Sequence, residues 1–382
     1  MRKVIVLMML VCMCASACAE TRARFLFIGD IMVHDQQLDA ARTKEGWDFS
    51  PSFRRIKPLF EDAFLVGNLE TVFAGTGRKL KYAGFPFFNT PDVFTENLSD
   101  DLGVDLLTLA NNHIFDRGAA GARRTVQVLE SADLEWVGLG LDDVPSNDAV
   151  VLEKDGIRAA FINHTYGSNE WPKSSDVHLN VISSRDITAS IARAKALSPD
   201  VIIALFHWGN EYHFSPNVHQ KRAADVAFGE GATLIVGTHP HVLQPVEVRR
   251  TSDDVKAVAW SLGNFVSFQR TLPRERSMIL SAEFVKDGKG TRLVSLGCVP
   301  LYVVAPGRKR TEVTYAGTDE AIIGKLDFSG LSKGQLANTR TIGRNVLDFL
   351  GAQAKVDEWG FNVLWREESG DVLPVSRRKS PK

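Results

Sequence analysis

Cysteine is scarce in this sequence. The chain has four cysteines in 382 residues, and Cys12, Cys14 and Cys18 all precede residue 20. The fourth, Cys298, stands in an apolar, strand-like stretch and is expected to be a buried core residue. With one cysteine in its body, the chain is predicted to have neither an intrachain disulfide framework nor a cysteine-rich zinc site.

An excess of charge of one sign is also lacking. The 45 Lys and Arg residues are balanced by 46 Asp and Glu, which gives a formal net charge of −1. No bulk basic character therefore favours nucleic acid, and we expect no nucleic-acid partner. The hydrophobic fraction of 44% and the charged fraction of 24% are typical of a folded globular protein and exclude an intrinsically disordered chain.

Long apolar runs are missing from the body of the chain, and the run that resembles a targeting signal lies at the N-terminus. Val4–Met13 follows the basic residues Arg2 and Lys3 and leads into the small residues 15–19. The run is too short to span a bilayer. This order of segments predicts a secretory signal peptide over residues 1–19.

Two processing routes remain open at this segment. Ala17-Cys18-Ala19 is a small-residue cleavage site that would leave Glu20 as the first residue. Alternatively, Ala15–Cys18 resembles a weak lipobox, in which Cys18 would be lipidated and become the first residue. Both routes predict export, to the periplasm or to a membrane-anchored place in the cell envelope. A lipid on Cys18 is the only membrane contact that we expect.

Short apolar runs alternate with amphipathic helical patterns between residues 24 and 241, which is typical of an α/β fold. The predicted strands are Arg24–Ile28, Ala63–Gly67, Asp105–Ala110, Glu135–Leu139, Gly156–Asn163, Val201–Phe206 and Thr233–Gly237. The predicted helices are Ser52–Asp62, Pro91–Leu102, Arg117–Ser131, Ile187–Leu197 and Asn217–Glu230. Later strands are predicted at Val242–Val248, Val255–Ser261, Ser277–Val285 and Arg292–Val304. They indicate a second sheet or the far side of a sandwich. We predict one domain over residues 24–304, followed by a C-terminal extension of unknown role over residues 305–382.

Polar side chains of the kinds that bind metals follow five of the predicted strands. They are Asp30, Glu70, Asn112 with its neighbour His113, His207, and the pair His239 and His241. An open α/β sheet places its ligands at the carboxyl ends of its strands. The sequence therefore predicts that these side chains meet at one edge of the fold.

Each of these residues has an ordinary structural interpretation when it is taken alone. An Asp after a strand, such as Asp30, usually caps a helix or a turn. His207 is equally well explained as a hydrogen-bonded core histidine. His239 and His241 are harder to explain in this way, because two imidazoles beside a buried strand are costly unless something binds them. Their joint occurrence favours a shared site for one or two divalent metal ions, with manganese, iron or zinc best suited to such ligands.

Two neighbouring segments are further candidates. His164, Tyr166 and Asn169 follow another predicted strand and would either line the same cleft or form a polar loop. The aromatic residues Phe85, Phe87 and Phe88 predict a hydrophobic plug or lid rather than a platform for stacking bases.

The strand-end motifs, taken together and in order, resemble the CapA family of poly-γ-glutamate capsule synthesis proteins, within the calcineurin-like metallophosphoesterase superfamily. The matching strings are Gly29-Asp30-Ile31-Met32, Asn68-Leu69-Glu70-Thr71, Ala110-Asn111-Asn112-His113, His207-Trp208-Gly209-Asn210-Glu211-Tyr212, Gly237-Thr238-His239-Pro240-His241-Val242 with Gln244, and Ser261-Leu262-Gly263-Asn264-Phe265. They span roughly residues 25–268.

The resemblance implies a metallo-dependent phosphatase-like β-sandwich flanked by helices, with a metal centre at the strand ends. It assigns metal binding to Asp30, Glu70, Asn112, His207, His239 and His241. It assigns to His113 a catalytic role as an acid or as a residue that polarises the substrate. Residues expected to contact substrate or to orient the ligands are His34, Asn68, Asn111, Glu211 and Gln244.

One position departs from the superfamily pattern. Its first motif usually carries a histidine two residues after the Asp, where this chain has Met32. A thioether is a poor ligand for such cations. His34 lies two residues further and would project to the same side of an extended segment, so it is a candidate replacement. The number of metal ions, one or two, therefore stays open.

The expected function is that of an exported metalloprotein in the synthesis, export or anchoring of a poly-γ-glutamate type surface polymer. A hydrolase-type metal site would carry it, with an anionic polymer or a phosphoester as substrate and a membrane-associated polymer synthase as a candidate partner. Two alternatives remain, a general metal-dependent phosphoesterase and a non-catalytic polymer-binding lipoprotein. Fold analogy alone does not choose among them.

Overall fold

The computed structural model describes residues 20–142, 148–251, 254–306, 311–353 and 355–367. The predicted signal peptide and its Cys18 lie outside these described residues. Among the helices described, none combines the length and the apolar character needed to cross a membrane.

Strands dominate the described part of the chain. They are β1 (Thr21–Ile31), β2 (Phe64–Leu69), β3 (Val104–Thr108), β4 (Glu135–Val137), β5 (Leu139–Leu141), β6 (Val150–Lys154), β7 (Ile157–Thr165), β8 (Val177–Leu179), β9 (Val201–His207), β10 (Leu234–Thr238), β11 (Val246–Arg250), β12 (Val255–Ala259), β13 (Asn264–Val266), β14 (Arg276–Asp287), β15 (Gly290–Val304), β16 (Glu312–Tyr315) and β17 (Asn362–Arg366). The helices are α1 (Asp35–Ala41), α2 (Phe94–Glu96), α3 (Gly118–Ser131), α4 (Ser184–Ala196), α5 (Val218–Glu230), α6 (Glu320–Ile323) and α7 (Lys333–Leu350).

Two large sheets are built from these strands. The first has the order β16-β15-β14-β1-β2-β3-β4, with β13 beside β1 and β17 beside β15. Its strands β1 to β4 run parallel, whereas β14, β15 and β16 are antiparallel to their neighbours. The second sheet has the order β11-β12-β10-β9-β7-β6, with parallel pairing from β12 to β7 and antiparallel edges. Strands β5 and β8 form a separate antiparallel pair.

The two sheets pack face to face around a buried apolar core. Phe25 of β1 and Phe64 of β2 lie against Phe161 of β7, with ring centroids 6.1 and 5.7 Å apart respectively. Helix α3 covers the outer face of the first sheet, and helices α4 and α5 cover that of the second. The predicted α/β class, a β-sandwich flanked by helices, is confirmed.

Two local predictions were wrong. The segment predicted as a helix over Ser52–Asp62 instead forms short 3₁₀ turns at Ser50–Ser52 and Lys57–Leu59. Pro58 explains the break, because proline inside a helix lacks the N–H donor and clashes with the preceding turn. The strand predicted over Glu135–Leu139 is interrupted at Gly138, whose φ of 115° is a backbone conformation that side-chain-bearing residues rarely adopt.

The C-terminal part adds to the first sheet. Strands β16 and β17 both pair with β15, and Ile342 and Val346 of α7 join the core between the sheets. Glu312 of β16 forms a buried ion pair with Arg55, at 2.6 Å between Oε2 and Nε. The described residues beyond 304 therefore complete a sheet that begins with β1.

Candidate metal centre

The predicted ligands converge where strands of both sheets end. Asp30 lies near the end of β1, Glu70 directly follows β2, and His207 is the last residue of β9. Asn112 lies on the loop after β3, and the segment of His239 and His241 follows β10. All six side chains are buried. The sandwich thus brings together residues that are more than 200 positions apart in the chain.

Glu70 is the least satisfied side chain of the cluster. Its carboxylate is fully buried, and neither oxygen has a hydrogen-bond partner. Nε2 of His207 lies 3.6 Å from Oε1, and Nε2 of His241 lies 3.9 Å from it. A buried carboxylate without partners is strongly unfavourable unless a positive charge compensates it.

Asp30, in contrast, is well hydrogen-bonded. Its Oδ1 accepts a hydrogen bond of 2.8 Å from Nδ2 of Asn68. Its Oδ2 pairs with Nδ1 of His241 at 3.0 Å, so that this nitrogen donates and Nε2 of the same ring is left to act as a ligand. The backbone N–H of His239 also points to this carboxylate, at 3.3 Å.

His207 is held from both ring nitrogens. Nε2 lies 2.8 Å from Oδ1 of Asn112, and Nδ1 lies 3.1 Å from the hydroxyl of Thr238 and 3.2 Å from Nδ2 of Asn68. An amide oxygen only accepts, so Nε2–H donates to Asn112 Oδ1, and Nδ1 accepts from Nδ2 of Asn68. A cation at Nε2 would take the place of that proton. Partners of this kind commonly fix the tautomer and orientation of a ligand histidine.

The loop after β10 is strained. His239 and His241 both have positive φ, 94° and 57°, which is uncommon for residues with a side chain. Strain of this kind persists only where the surroundings enforce it, and it is concentrated at functional sites. Nδ1 of His239 is buried and has no hydrogen-bond partner. The loop therefore presents a second unsatisfied ligand atom beside Glu70.

The pKa values follow from this burial. Desolvation raises the pKa of Glu70 well above its usual range, and the charge of Asp30 raises it further. Desolvation lowers the pKa of His207 and His239 well below the usual value, and neighbouring imidazoles add to the effect. The histidines are therefore neutral at neutral pH, which is the state in which imidazole binds metals.

These residues fit a divalent cation. Two overlapping groups, Glu70 with His239 and His241, and Asp30 with Glu70 and His207, place their ligand atoms within 4.8 Å of one another. Glu70 belongs to both groups. A cation between them would satisfy the orphaned Glu70 oxygens and the free nitrogen of His239. The predicted ligand set is thus brought together, with Asn112 next to His207.

His34 lies near the centre but outside the two ligand groups. Its segment turns into α1 directly after it, and Nδ1 of His34 accepts a hydrogen bond of 3.2 Å from the Phe268 N–H. Burial lowers the pKa of His34 to about 4. The charges of His241 and His113 contribute to this lowering, which places the His34 ring close to both.

His113 is oriented by a carboxylate. Its Nδ1 lies 2.9 Å from Oδ2 of Asp116, and both side chains are buried. The other ring nitrogen, Nε2, lies 3.5 Å from Nδ2 of Asn169. The backbone N–H of Asn169 donates to the Asn112 carbonyl at 2.8 Å. The ring is thus fixed beside the proposed ligand Asn112 without being one of the ligands itself.

The remaining predicted residues support the centre in different ways. Asn68 links Asp30 to His207, and Asn111 donates from Nδ2 to the Leu69 carbonyl at 2.8 Å. Gln244 is buried and accepts a hydrogen bond of 2.9 Å from Gln220 on α5, so it fastens loops rather than facing the ligands. Glu211 is exposed, and its charge is close enough to contribute to the raised pKa of Glu70.

Sequence reasoning missed two threonines that orient this network. Thr238 bonds His207, and Thr108 donates to Oδ1 of Asn68 at 3.0 Å. Each is the last residue of its strand, β10 or β3, which is the signal that would have found them.

Of the two neighbouring segments named as further candidates, some residues lie at the site and others do not. Tyr166 lies at the site, with its ring 4.5 Å from that of His239. His164 does not, because it is buried beneath α4 and pairs with Ser190 at 3.2 Å. Phe88 is buried against His113, with 4.8 Å between the rings, whereas Phe85 is 65% exposed beside it. The aromatic string therefore forms one wall at His113.

The comparison with family models decides the family. Residues 24–269 match the model described as bacterial capsule synthesis protein PGA_cap. The chain belongs to this bacterial capsule synthesis protein family. It is 28% identical over 285 residues to the capsule biosynthesis protein CapA of Bacillus anthracis, covering 72% of this chain and 66% of the relative. It is 27% identical over 268 residues to the PGA biosynthesis protein CapA of Bacillus subtilis strain 168, covering 69% and 68%. The match thus spans slightly under two thirds of the Bacillus anthracis relative.

Solved structures with a similar backbone fold include a calcineurin-like phosphoesterase from Bacillus subtilis. That likeness has a TM-score of 0.46 at 14% identity and covers 87% of this chain and 99% of that one. The NAD nucleotidase of Haemophilus influenzae gives a TM-score of 0.46 at 13% identity, covering 84% and 62%.

Proposed function

We propose that this member of the capsule synthesis family serves in the synthesis, export or anchoring of an anionic surface polymer of the poly-γ-glutamate type. Family membership supports the polymer, since the Bacillus subtilis relative is named as a PGA biosynthesis protein. A metal-dependent hydrolase site would carry the activity, and a membrane-associated polymer synthase is the partner class that such a role implies.

The observation that carries the proposal is the unsatisfied Glu70 carboxylate. It lies fully buried beside Asp30, with neutral imidazoles around it and no hydrogen bond to either oxygen. A structural role would have provided such a group with donors. A divalent cation, with manganese, iron or zinc suiting the carboxylate and imidazole ligands, removes the penalty. Glu70, His207 and His239 would hold it, together with Asp30, Asn112 and His241.

A bound divalent cation supplies a Lewis acid that polarises a substrate oxygen and favours an attacking hydroxide at neutral pH. The protein's own groups do the rest. Thr238 and Asn68 hold the His207 ring in place. Asp116 holds Nδ1 of His113, so that Nε2 is the atom available to give a proton to a leaving group or to steady its developing charge.

Elemental analysis of the purified chain and of two ligand variants tests the centre. His207→Ala and His239→Ala should each lose bound metal, because each removes a neutral nitrogen ligand from one of the two groups that contain Glu70. His178→Ala is the matched control, since His178 is exposed and pairs with Asp142 away from the centre. Metal content equal to that of the parent in both ligand variants would contradict the site.

The same preparations separate the alternatives. A parent that holds metal and hydrolyses a small aryl phosphate supports a hydrolase, and cleavage of a γ-glutamyl polymer would specify its substrate. Turnover of phosphoesters without any effect on the polymer would favour a general phosphoesterase. A parent that binds polymer but hydrolyses nothing would favour a polymer-binding protein.

A further inference from the structure

A cavity of about 480 Å³ opens next to the candidate metal centre. Tyr166 is the wall that the two share. On one side, the Tyr166 ring faces the metal centre: its centroid lies 4.5 Å from that of the His239 ring and 6.3 Å from that of the His207 ring. Tyr166 also lines the cavity, which continues toward the first turns of α4 and α5. A substrate whose reacting group sits at the centre would extend into this space.

The lining has a definite chemistry. Arg222 and His219 are its basic side chains, and no Asp or Glu of the described residues lines it. Hydroxyl and amide groups come from residues such as Ser184 and Asn210, and the half-buried Ile182 contributes an aliphatic side chain. The combination suits a flexible ligand that carries an anionic group, amide bonds and short methylene segments.

Arg222 is the charged group available to a ligand. It is exposed at the cavity, and within the described part of the chain it has no acidic partner. The capping groups of the two helices are already engaged, because Ser183 Oγ accepts from the Asp186 N–H and Asn217 Oδ1 accepts from the Gln220 N–H. The guanidinium of Arg222, rather than a helix end, is therefore the group that would pair with a carboxylate.

We infer that this cavity is the subsite for a carboxylate-bearing unit of the substrate chain, adjacent to the unit at the metal centre. The inference rests on the proposed function and adds to it where the neighbouring unit binds. Arg222 pairs with the side carboxylate, Asn210 and Ser184 face the amide bonds, and Ile182 packs against the methylene groups. Tyr166 separates this unit from the reacting one.

Binding of a short, fluorescently labelled γ-linked glutamate oligomer to the metal-loaded full chain tests the subsite. Arg222→Glu should raise the Kd about ten-fold at low salt, because it replaces an attraction by a repulsion. Lys221→Glu is the matched control, since it makes the same charge change at the next residue, which is exposed and does not line the cavity. Ser184→Trp, which fills the cavity without changing charge, should weaken binding as well.

Small substrates keep this test separate from that of the proposed function. Arg222→Glu and Ser184→Trp should leave the metal content and the turnover of a small aryl phosphate at the parent level, because neither residue touches the centre. A parent that binds oligomer while both variants bind it equally well would overturn the subsite alone.

Equal weakening by Lys221→Glu would also overturn the subsite, since surface charge would then be the cause. Inorganic phosphate that displaces the oligomer, with an affinity that depends on Arg222, would show a phosphate subsite and refute the carboxylate assignment. A parent that binds neither metal nor oligomer would refute the proposed function and the subsite together.

Discussion

Replacing Glu70 by Gln is the most informative single change, because metal-free and metal-loaded protein should respond with opposite sign. In the metal-free protein the Glu70 carboxylate is buried beside Asp30 without a hydrogen bond to either oxygen. Ionised Glu70 has no compensating partner, which is why its pKa is raised, so Glu70→Gln removes a destabilising ionisation and the metal-free variant should melt at the same temperature as the parent or higher. With metal present the order should reverse, since the variant loses the ligand common to both groups.

The size of the metal effect follows from linkage. At a free metal concentration roughly 1,000-fold above Kd, binding stabilises the folded state by about 4 kcal/mol. At about 2 °C per kcal/mol for a large domain, the parent should gain about 8 °C in Tm on metal loading. Glu70→Gln should lose most of this gain.

The pH dependence gives an independent check with a definite sign. Folding raises the pKa of Glu70 above its ordinary value of 4.5. The folded state then binds more protons than the unfolded state, so Glu70 destabilises the metal-free protein progressively as the pH rises above about 4.5. The Tm of metal-free Glu70→Gln minus that of the metal-free parent should therefore grow between about pH 5 and pH 8. Metal binding should strengthen over the same range, because the cation competes with the proton on Glu70.

Glu312→Gln is the matched control for these melting curves. Glu312 is also a buried glutamate, but it has a cationic partner in Arg55. Its replacement should cost roughly 3 kcal/mol with and without metal, and the metal-induced rise in Tm should stay intact. If Glu70→Gln kept the full metal-induced rise, or destabilised the metal-free protein as Glu312→Gln does, the reasoning about Glu70 would be wrong.

Three further outcomes are expected. His113→Ala should keep its metal and fold while losing about 10²–10⁴-fold in turnover of any ester that the parent hydrolyses; a lower Tm with unchanged turnover would reduce His113 to a structural partner of Asp116. Mass spectrometry of the protein from its native host should find a chain beginning at lipidated Cys18 or at Glu20, and a chain that retains Met1 would contradict export. In a calorimetric metal titration, one ion per chain should bind before any second ion. A single step that takes up two ions would show that the two ligand groups bind metal equally well and would contradict this expectation.

The strand-end motifs could be predicted from the sequence because each is local. A short apolar run followed by Asp, Asn or His places the side chain at a sheet edge whichever strands are its neighbours. The place of Glu70 between both ligand groups could not be predicted in this way, since it depends on how β2 of one sheet faces β9 and β10 of the other. The same limit applies to Thr238, whose role exists only because His207 lies on the adjacent strand.

The alternatives that the sequence left open, and the pairing that it did not indicate, have equally concrete reasons. His34 is extended and lies near His113 and His241, but its Nδ1 accepts from the Phe268 N–H and it belongs to neither ligand group. His164 ends a strand like the ligands do, yet it lies on the face of its sheet that α4 covers. The contribution of β17 to the first sheet depends on pairing with β15 across more than 60 residues, and no local pattern indicates such a pairing.

The hydrogen bonds around the centre bear on whether it holds one ion or two. Both oxygens of Asp30 already accept hydrogen bonds, from Asn68 and from His241, so a cation would share each oxygen with a donor. Met32, two residues after Asp30, offers only a soft thioether there. Glu70, in contrast, has two free oxygens, and Nδ1 of His239 is also free. The ligand atoms available without rearrangement are therefore concentrated on the side of Glu70 and His239, and a cation bound there requires no loss of protein hydrogen bonds. The group of Asp30, Glu70 and His207 would have to give up the hydrogen bond from His207 Nε2 to Asn112, so it should bind its ion more weakly and only after the first.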